Sequence, residues 1–104
     1  MNKFDEREKS FEKKFVKDEE LQFKVAARSN KYLGEWVSLK LDKTEEEKKN
    51  YIQEIIKADM EEAGSEDVFR KVLKDFKIAS VSVEELEIRE QMEKALSRAQ
   101  EDFK

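Results

Sequence analysis

Apolar positions recur every three or four residues over four stretches of the chain, which is the period of an amphipathic α-helix. The first stretch runs from Asn2 towards Leu39, and Gly34 lies inside it near its end. Glycine within a helix costs about 1 kcal/mol relative to alanine. We therefore expect Gly34 either to permit a bend or to let another helix approach closely. Four such helices with short connections predict an all-α four-helix bundle.

Local signals mark the ends of the second and third helices. Thr44 and Glu47 have the spacing of a capping box, which opens the second helix. Its apolar face consists of Tyr51, Ile52, Ile55, Ile56 and Met60. Gly64 is suited to end this helix, and Ser65 to cap the third. The inner side of the third helix consists of Val68, Phe69, Val72, Leu73 and Phe76.

The last part of the chain has one ambiguous stretch and a fourth helix. The stretch IASVSV, from Ile78 to Val83, has strand character but is too short to form a sheet by itself. Ser82 and Glu85 repeat the capping-box spacing and are predicted to open the fourth helix. The apolar face of that helix consists of Ile88, Met92, Ala95, Leu96, Ala99 and Phe103.

An aromatic stripe lies near the amino terminus, in the segment FDEREKSFEKKF. On a helix, Phe4, Phe11 and Phe15 fall within about 40° of one another, and all but one of the other residues are charged. A helix covering the whole first stretch would be about 57 Å long, whereas the other three would span about 20–30 Å each. We therefore expect part of the first helix, including the stripe, to extend beyond the bundle.

Composition places the chain among small, highly charged single domains. Of its 104 residues, 38% are hydrophobic and 46% are charged, against about 45–50% and about 25% in a typical domain. Two glycines and no proline favour long helices. The net charge is −4, with 22 basic and 26 acidic residues interleaved. This balance argues against a nucleic-acid partner, because phosphate binding needs a basic patch.

Two side chains that often carry catalysis are missing. The sequence has no histidine and no cysteine, which removes the commonest general base, the thiolate nucleophile and the usual metal ligands. There is no glycine-rich phosphate loop, because the only glycines are Gly34 and Gly64. The acidic run DMEEAGSED lacks the spacing of a calcium loop. We therefore expect no enzyme, no cofactor and no metal site.

Two residues of the predicted bundle allow more than one interpretation. Asp59 falls on the same helical face as Ile52 and Ile55, and a partly buried carboxylate needs partners. We expect it to cap a neighbouring helix or to pair with a lysine or arginine. Trp36 could anchor a partner protein, since tryptophan is enriched at interface hot spots. Core packing is favoured for Trp36, because an isolated large aromatic residue in a small bundle is usually buried.

Export and membrane insertion are not indicated. The amino terminus, MNKFDEREKS, is too charged for a signal peptide and too acidic for an organellar transit peptide. No apolar run approaches the roughly 20 residues that span a bilayer. The lack of cysteine fits a reducing cytoplasm.

Four blocks of the sequence together resemble a known family. They are F-D-x-R-E, D-E-E-L-x-F-K, A-R-x-N-K-x-L-G-x-W and A-D-x-E-E-x-G-x-E-D, and the similarity runs from about Phe4 to about Ile88. These blocks are similar to those of the ζ subunit, the small inhibitor subunit of the alphaproteobacterial F-type ATP synthase. Family members often have proline at the position of Ala63 and glycine at the position of Ser80. The sequence therefore departs from the family pattern at two helix ends, where these residues would affect how the turns are capped.

The resemblance implies two functional parts. Residues 18–104 would form the bundle, and residues 1–17 an inhibitory arm, either as part of a long first helix or as a partly disordered segment. In the family, the arm is thought to enter an α/β catalytic interface of the synthase head and to block the rotor. The residues implied to bind the partner are Phe4, Asp5, Arg7, Glu8, Phe11, Lys14 and Phe15. The implied partners are the α, β and γ subunits, which would place the protein in the cytoplasm, peripheral to the inner membrane.

Two other functions are compatible with the sequence. A helical adaptor or assembly factor would use the same arm to bind a partner without inhibiting ATP hydrolysis. A small-molecule or nucleotide binder would use the surface of the bundle, and weak nucleotide binding is left open for the ζ-like interpretation as well. Recovery of synthase subunits with the protein would favour the inhibitor, and thermal stabilisation by nucleotide would favour the nucleotide binder.

Overall fold

The computed structural model describes residues 19–61 and 66–104, which form four α-helices. They are α1 (Glu19–Lys40), α2 (Glu45–Glu61), α3 (Glu66–Ile78) and α4 (Glu85–Asp102). The described residues contain no strand, so the all-α prediction is confirmed. The stretch from Ile78 to Val83 is the end of α3, a turn and an irregular connection. The predictions that lie outside the described residues are the arm, the helix start at Asn2, the stop at Gly64 and the cap at Ser65.

Neighbouring helices in the bundle run antiparallel. Arg28 in the middle of α1 pairs with Asp102 at the end of α4 at 3.3 Å, and Lys40 at the end of α1 meets Glu87 at the start of α4 at 4.0 Å. Helix α1 packs along both α4 and α2, while α3 packs against α2 and α4. We call the end of the bundle at which α1 and α3 begin, and α2 and α4 end, the upper end.

All four helices contribute to one hydrophobic core. Its buried apolar residues are Leu33, Val37, Tyr51, Ile52, Ile55, Val68, Phe69, Val72, Phe76, Ile88, Ala95 and Ala99. Most of the predicted apolar faces are therefore confirmed. The prediction was wrong for Met60 and Leu96, which are exposed. Met60 is the second-last residue of α2, and Leu96 lies about 80° from Ile88 around α4, at the edge of its apolar face.

Helix α2 begins with the predicted capping box. The backbone N–H of Glu47 donates to Oγ1 of Thr44 at 3.2 Å, and the backbone N–H of Thr44 donates to Oε1 of Glu47 at 2.8 Å. These backbone N–H groups would otherwise lack a partner within the helix. The bond from the Thr44 backbone N–H, with a smaller contribution from the Thr44 side chain, lowers the pKa of the Glu47 carboxyl. The stability that they add is therefore present above the ordinary pKa of glutamate and is lost as pH falls through the lowered value.

Helix α4 does not begin as predicted. Its N-cap is Glu84, which makes no side-chain capping hydrogen bond, so the prediction of a box formed by Ser82 and Glu85 was wrong. Val81 and Val83 pack against the core, whereas Ser82 between them is exposed. This alternation of buried and exposed side chains is typical of extended backbone and keeps Ser82 outside the first helical turn.

Helices α1 and α3 both end with a residue in the left-handed region. Asp42 has a φ of 55° and Ser80 a φ of 57°, which is a conformation that favours glycine. At the second site, the backbone N–H of Val81 donates to the carbonyl of Phe76 at 2.9 Å, as in a Schellman motif. Ser80 is the position at which the ζ-like family often has glycine, so the departure from the family pattern falls where glycine would relieve strain.

Replacing Thr44 with alanine should destabilise the protein, while the same change at Ser82 should not. Thr44→Ala removes one half of the capping box and is expected to lower the free energy of unfolding by about 1 kcal/mol. Ser82→Ala removes an exposed hydroxyl that caps nothing and should change it by less than about 0.5 kcal/mol. Urea denaturation of both variants measures the difference. Equal losses would contradict the assignment of the caps.

Candidate functional site

The residues predicted to bind a partner lie between Phe4 and Phe15, outside the described residues, as does Gly64. The described structure does place the three other predicted residues, Gly34, Trp36 and Asp59. All three lie on α1 or α2. They show how α1 is held against its neighbours in the bundle.

Gly34 allows α1 and α2 to approach closely. A Cβ atom at this position would lie 2.7 Å from Cγ1 of Ile52 and 3.3 Å from its Cα. The first distance is well below van der Waals contact, so α2 leaves no room for a side chain here. Helix α1 continues through Gly34 without interruption. Of the two predicted roles, close approach is confirmed.

Trp36 packs as a core residue at the edge of the bundle. It is half-buried, and its ring meets the ring of Phe76 edge-on, with centroids 5.6 Å apart and an interplanar angle of 78°. This arrangement places the positive edge of one ring against the negative face of the other. The preference for core packing over partner anchoring is therefore supported by the contact with α3.

Asp59 has a partner of a different kind from the one predicted. It accepts a hydrogen bond from Nδ2 of Asn30 at 3.0 Å, and Asn30 is only 8% exposed. The prediction of a helix cap or a cationic partner was wrong, because α1 presents a buried amide at this level. A buried amide itself needs an acceptor, so Asn30 and Asp59 satisfy each other and tie α1 to α2.

An apolar cleft surrounds this pair at the upper end of the bundle. It consists of two adjoining hollows of about 240 and 230 Å³ that share Ala26, Asn30 and Asp59. The other apolar residues that line it include Phe23, Leu33, Ile56, Met60, Val68, Met92 and Leu96. We call this feature the upper cleft.

Three large side chains at the upper cleft are exposed to solvent. Phe23 is 55%, Met60 66% and Leu96 44% exposed. Sequence reasoning treated Met60 and Leu96 as core and passed over Phe23. The adjacent alanines Ala26 and Ala27 were the available signal, because small side chains on one helix leave a hollow between it and its neighbours.

Polar contacts on the opposite side of α2 are structural. The hydroxyl of Tyr51 donates to Oδ2 of Asp75 at 2.7 Å, and Nζ of Lys71 donates to Glu54 at 2.9 Å and to Asp75 at 3.1 Å. Burial raises the pKa of Tyr51, and the bond to Asp75 raises it further. Burial alone would lower the pKa of Lys71, but its bonds to Glu54 and Asp75 outweigh this and raise it. Both groups therefore keep their protons and link α2 to α3.

Two further properties concern the described residues. Between residues 19 and 61 and between 66 and 104, no cluster of acidic side chains is arranged to hold a metal ion. None of the four helices combines the length and the apolar character needed to cross a membrane.

Comparison with known proteins decides the family. A model of the family "ATPase inhibitor subunit zeta" matches residues 1–102 of the chain. The chain belongs to this zeta family. The match includes residues 1–17 as well as the four helices, and it confirms the family that the four sequence blocks indicated.

A solved structure shares the fold of this zeta-family chain. It was determined by solution NMR and superposes with a TM-score of 0.71 at 42% sequence identity, covering 80% of this chain and 94% of that chain. No curated protein sequence gives a significant match. Membership of the zeta family supports an inhibitory role at an ATP synthase and implies a regulatory rather than a catalytic protein.

Proposed function

We propose that this zeta-family protein inhibits ATP hydrolysis by inserting residues 1–17, as a helix, into an α/β catalytic interface of the F-type ATP synthase, against the γ rotor. The observation that carries the proposal is the aromatic stripe. Phe4, Phe11 and Phe15 share one narrow face of a helix, in a segment that is otherwise charged and that lies within the family match.

The described bundle has a core of its own. Its buried apolar residues lie between Leu33 and Ala99, and every helix from α1 to α4 contributes at least one. A core assembled from these residues does not depend on the stripe. This supports a division into an inhibitory arm, residues 1–17, and a bundle domain, residues 18–104, that carries it.

The energetics of the arm favour a few aromatic anchors. Burying one phenylalanine contributes about 1.5–3 kcal/mol, so three rings contribute about 4.5–9 kcal/mol. Ordering a segment on binding costs about 2–5 kcal/mol. The net binding free energy is small, so the loss of one ring should weaken binding strongly. The charged residues Asp5, Arg7, Glu8 and Lys14 would form a polar rim, which affects the rate of association more than the affinity.

The direct test is titration of the purified chain into its cognate synthase, with hydrolysis and synthesis of ATP measured separately. Hydrolysis should fall to a low plateau near one protein per synthase. Retention of the α, β and γ subunits by the immobilised chain would show the proposed partners and a location peripheral to the membrane. Retention without any loss of hydrolysis would instead favour the adaptor or assembly factor.

Phe11→Ala should weaken inhibition by about 10- to 100-fold in the concentration needed for half-maximal effect. This range corresponds to the loss of one buried phenylalanine ring at about 1.4 kcal/mol per tenfold change. Lys13→Ala, two positions away, removes a charge on the face of the helix opposite the stripe and should cost less than about fivefold. Hydrolysis titrations of the two variants give the comparison. Superimposable curves would mean that the stripe is not the anchor.

A further inference from the structure

The upper cleft has the composition of a protein-binding surface. Its large exposed side chains are those of Phe23, Met60 and Leu96, and they surround the two adjoining hollows. Apolar side chains exposed singly are normal, whereas a group of them around a hollow marks an interaction site. Aromatic residues and methionine are enriched at protein interfaces, and the flexible methionine side chain adapts to the shape of a partner.

The charged residues that line the cleft are acidic. They are Asp59 and Glu93, and neither forms an ion pair with a basic residue of the described helices. Asp59 accepts a hydrogen bond from Asn30 at 3.0 Å, but an amide carries no charge to balance a carboxylate. A segment with lysine or arginine next to its apolar side chains would therefore complement the cleft.

The cleft lies within reach of any protein that holds the arm. An extended chain spans at most about 3.6 Å per residue, so Phe15 lies within about 14 Å of Glu19, the first residue of α1, whatever the conformation of the residues between them. Phe23 follows one turn later, about 6 Å along α1, whereas Lys40 at the other end of α1 lies about 32 Å from Glu19. A partner bound to Phe15 is therefore next to the upper end of the bundle.

A second copy of the chain suits the cleft less well. Residues 1–17 have six basic and four acidic side chains, a net charge of +2, so the other 87 residues carry −6 of the total of −4. The bundle of a second copy would bring an excess of negative charge to a cleft that is already acidic. A partner that holds the arm has the further advantage of being tethered beside the cleft.

We infer that the upper cleft is a second contact with the synthase head, and that its occupant is a segment of the head with a bulky apolar side chain next to lysine or arginine. The inference rests on the proposed function for the identity of this partner. The arm tethers the bundle to the head over a short distance, which corresponds to an effective concentration of about millimolar. A contact too weak to hold the two proteins together by itself then adds to the affinity of the arm.

Polar substitutions at the cleft should weaken binding of the full-length chain to the purified synthase head. The chain has no cysteine, so Ser82→Cys provides one site for a fluorescent label, exposed at the end of the bundle opposite the cleft. In this background, the cleft variant Met60→Gln, Leu96→Gln should raise the dissociation constant about tenfold, because two apolar contacts are lost. The matched control, Leu39→Gln, Ile78→Gln, changes two exposed apolar side chains at the opposite end and should stay within about twofold of the labelled parent.

Charge reversal tests the acidic lining separately. Glu93→Lys places a positive charge at the cleft and should raise the dissociation constant about fivefold at physiological ionic strength. Glu46→Lys makes the same change of net charge at the exposed start of α2, at the opposite end of the bundle. It should change the constant by less than about twofold, since salt screens charges more than about 8 Å apart. Equal effects of the two reversals would mean that only the net charge matters.

The two proposals fail in different ways. If the chain binds the head, loses affinity in the cleft variant and never inhibits hydrolysis, the second contact stands and the proposed function falls. If the chain inhibits, and the cleft and control variants bind equally well, the second contact is overturned and the proposed function stands. A dimer in sedimentation velocity that the cleft substitutions dissociate would also overturn the second contact, because the occupant would be another copy of the chain. No binding of the unmodified chain to the head would overturn both.

Discussion

Deletion of residues 1–17 is expected to abolish inhibition of ATP hydrolysis and to leave a folded helical bundle. Inhibition is lost because all three anchoring rings are removed. The bundle persists because its buried apolar residues lie between Leu33 and Ala99. Circular dichroism and urea denaturation report on folding, and hydrolysis titrations with the cognate synthase report on inhibition.

The matched control keeps the length and the charge of the arm. It is the full-length chain with Phe4, Phe11 and Phe15 all changed to alanine, which should inhibit as poorly as the deletion. A truncated protein that inhibits like the full chain would contradict the role of the arm. A truncated protein that no longer unfolds cooperatively would show that the arm belongs to the core.

Gly34→Leu should lower the free energy of unfolding by about 2 kcal/mol, which is the upper end of the overpacking cost less the helix propensity that leucine regains. Leucine is a good helix former, so the change relieves the helix of about 0.8–1 kcal/mol that glycine costs. A Cβ at this position lies 2.7 Å from Cγ1 of Ile52 and 3.3 Å from its Cα, which forces α1 and α2 apart. Overpacking of this kind costs about 1–3 kcal/mol when the backbone yields, and the further atoms of leucine add to it.

Lys31→Leu is the control for Gly34→Leu. Lys31 is exposed on the same helix, one turn before Gly34, so leucine there enters no packed contact and should change the stability by less than about 0.5 kcal/mol. Urea denaturation midpoints, with unchanged m-values, give the change in the free energy of unfolding for each variant. Equal stability of the two variants would mean that α1 and α2 can separate at no cost.

Local sequence signals predicted some features correctly and failed at others with the same pattern. Thr44 and Glu47 form a capping box because the partners are three residues apart and need nothing from the rest of the fold. Ser82 and Glu85 have the same spacing but do not pair, since Val81 and Val83 on either side of Ser82 are held against the core. Whether a capping box forms therefore depends on tertiary packing, which the residue spacing alone does not show.

The upper cleft shows the limit of periodicity more generally. The period of the apolar residues placed Met60 on the apolar face of α2, about 40° from Ile56 and about 80° from Ile52 around the helix. Periodicity does not show where the neighbouring helices end, and Met60 lies beyond their cover. Periodicity could not predict the partner of Asp59 either, because Asn30 lies 29 positions away on another helix.

The amino-acid sequence by itself determined the four helices, most of their inner faces, the first capping box and the zeta family. Each of these follows from residue spacing within one segment or from motifs in order. Only the tertiary structure decided the pairing of Asn30 with Asp59, the contact at Gly34, the start of α4 and the open cleft at the upper end. These features depend on which helices meet and where each one stops, and such distances arise only when separate segments pack together.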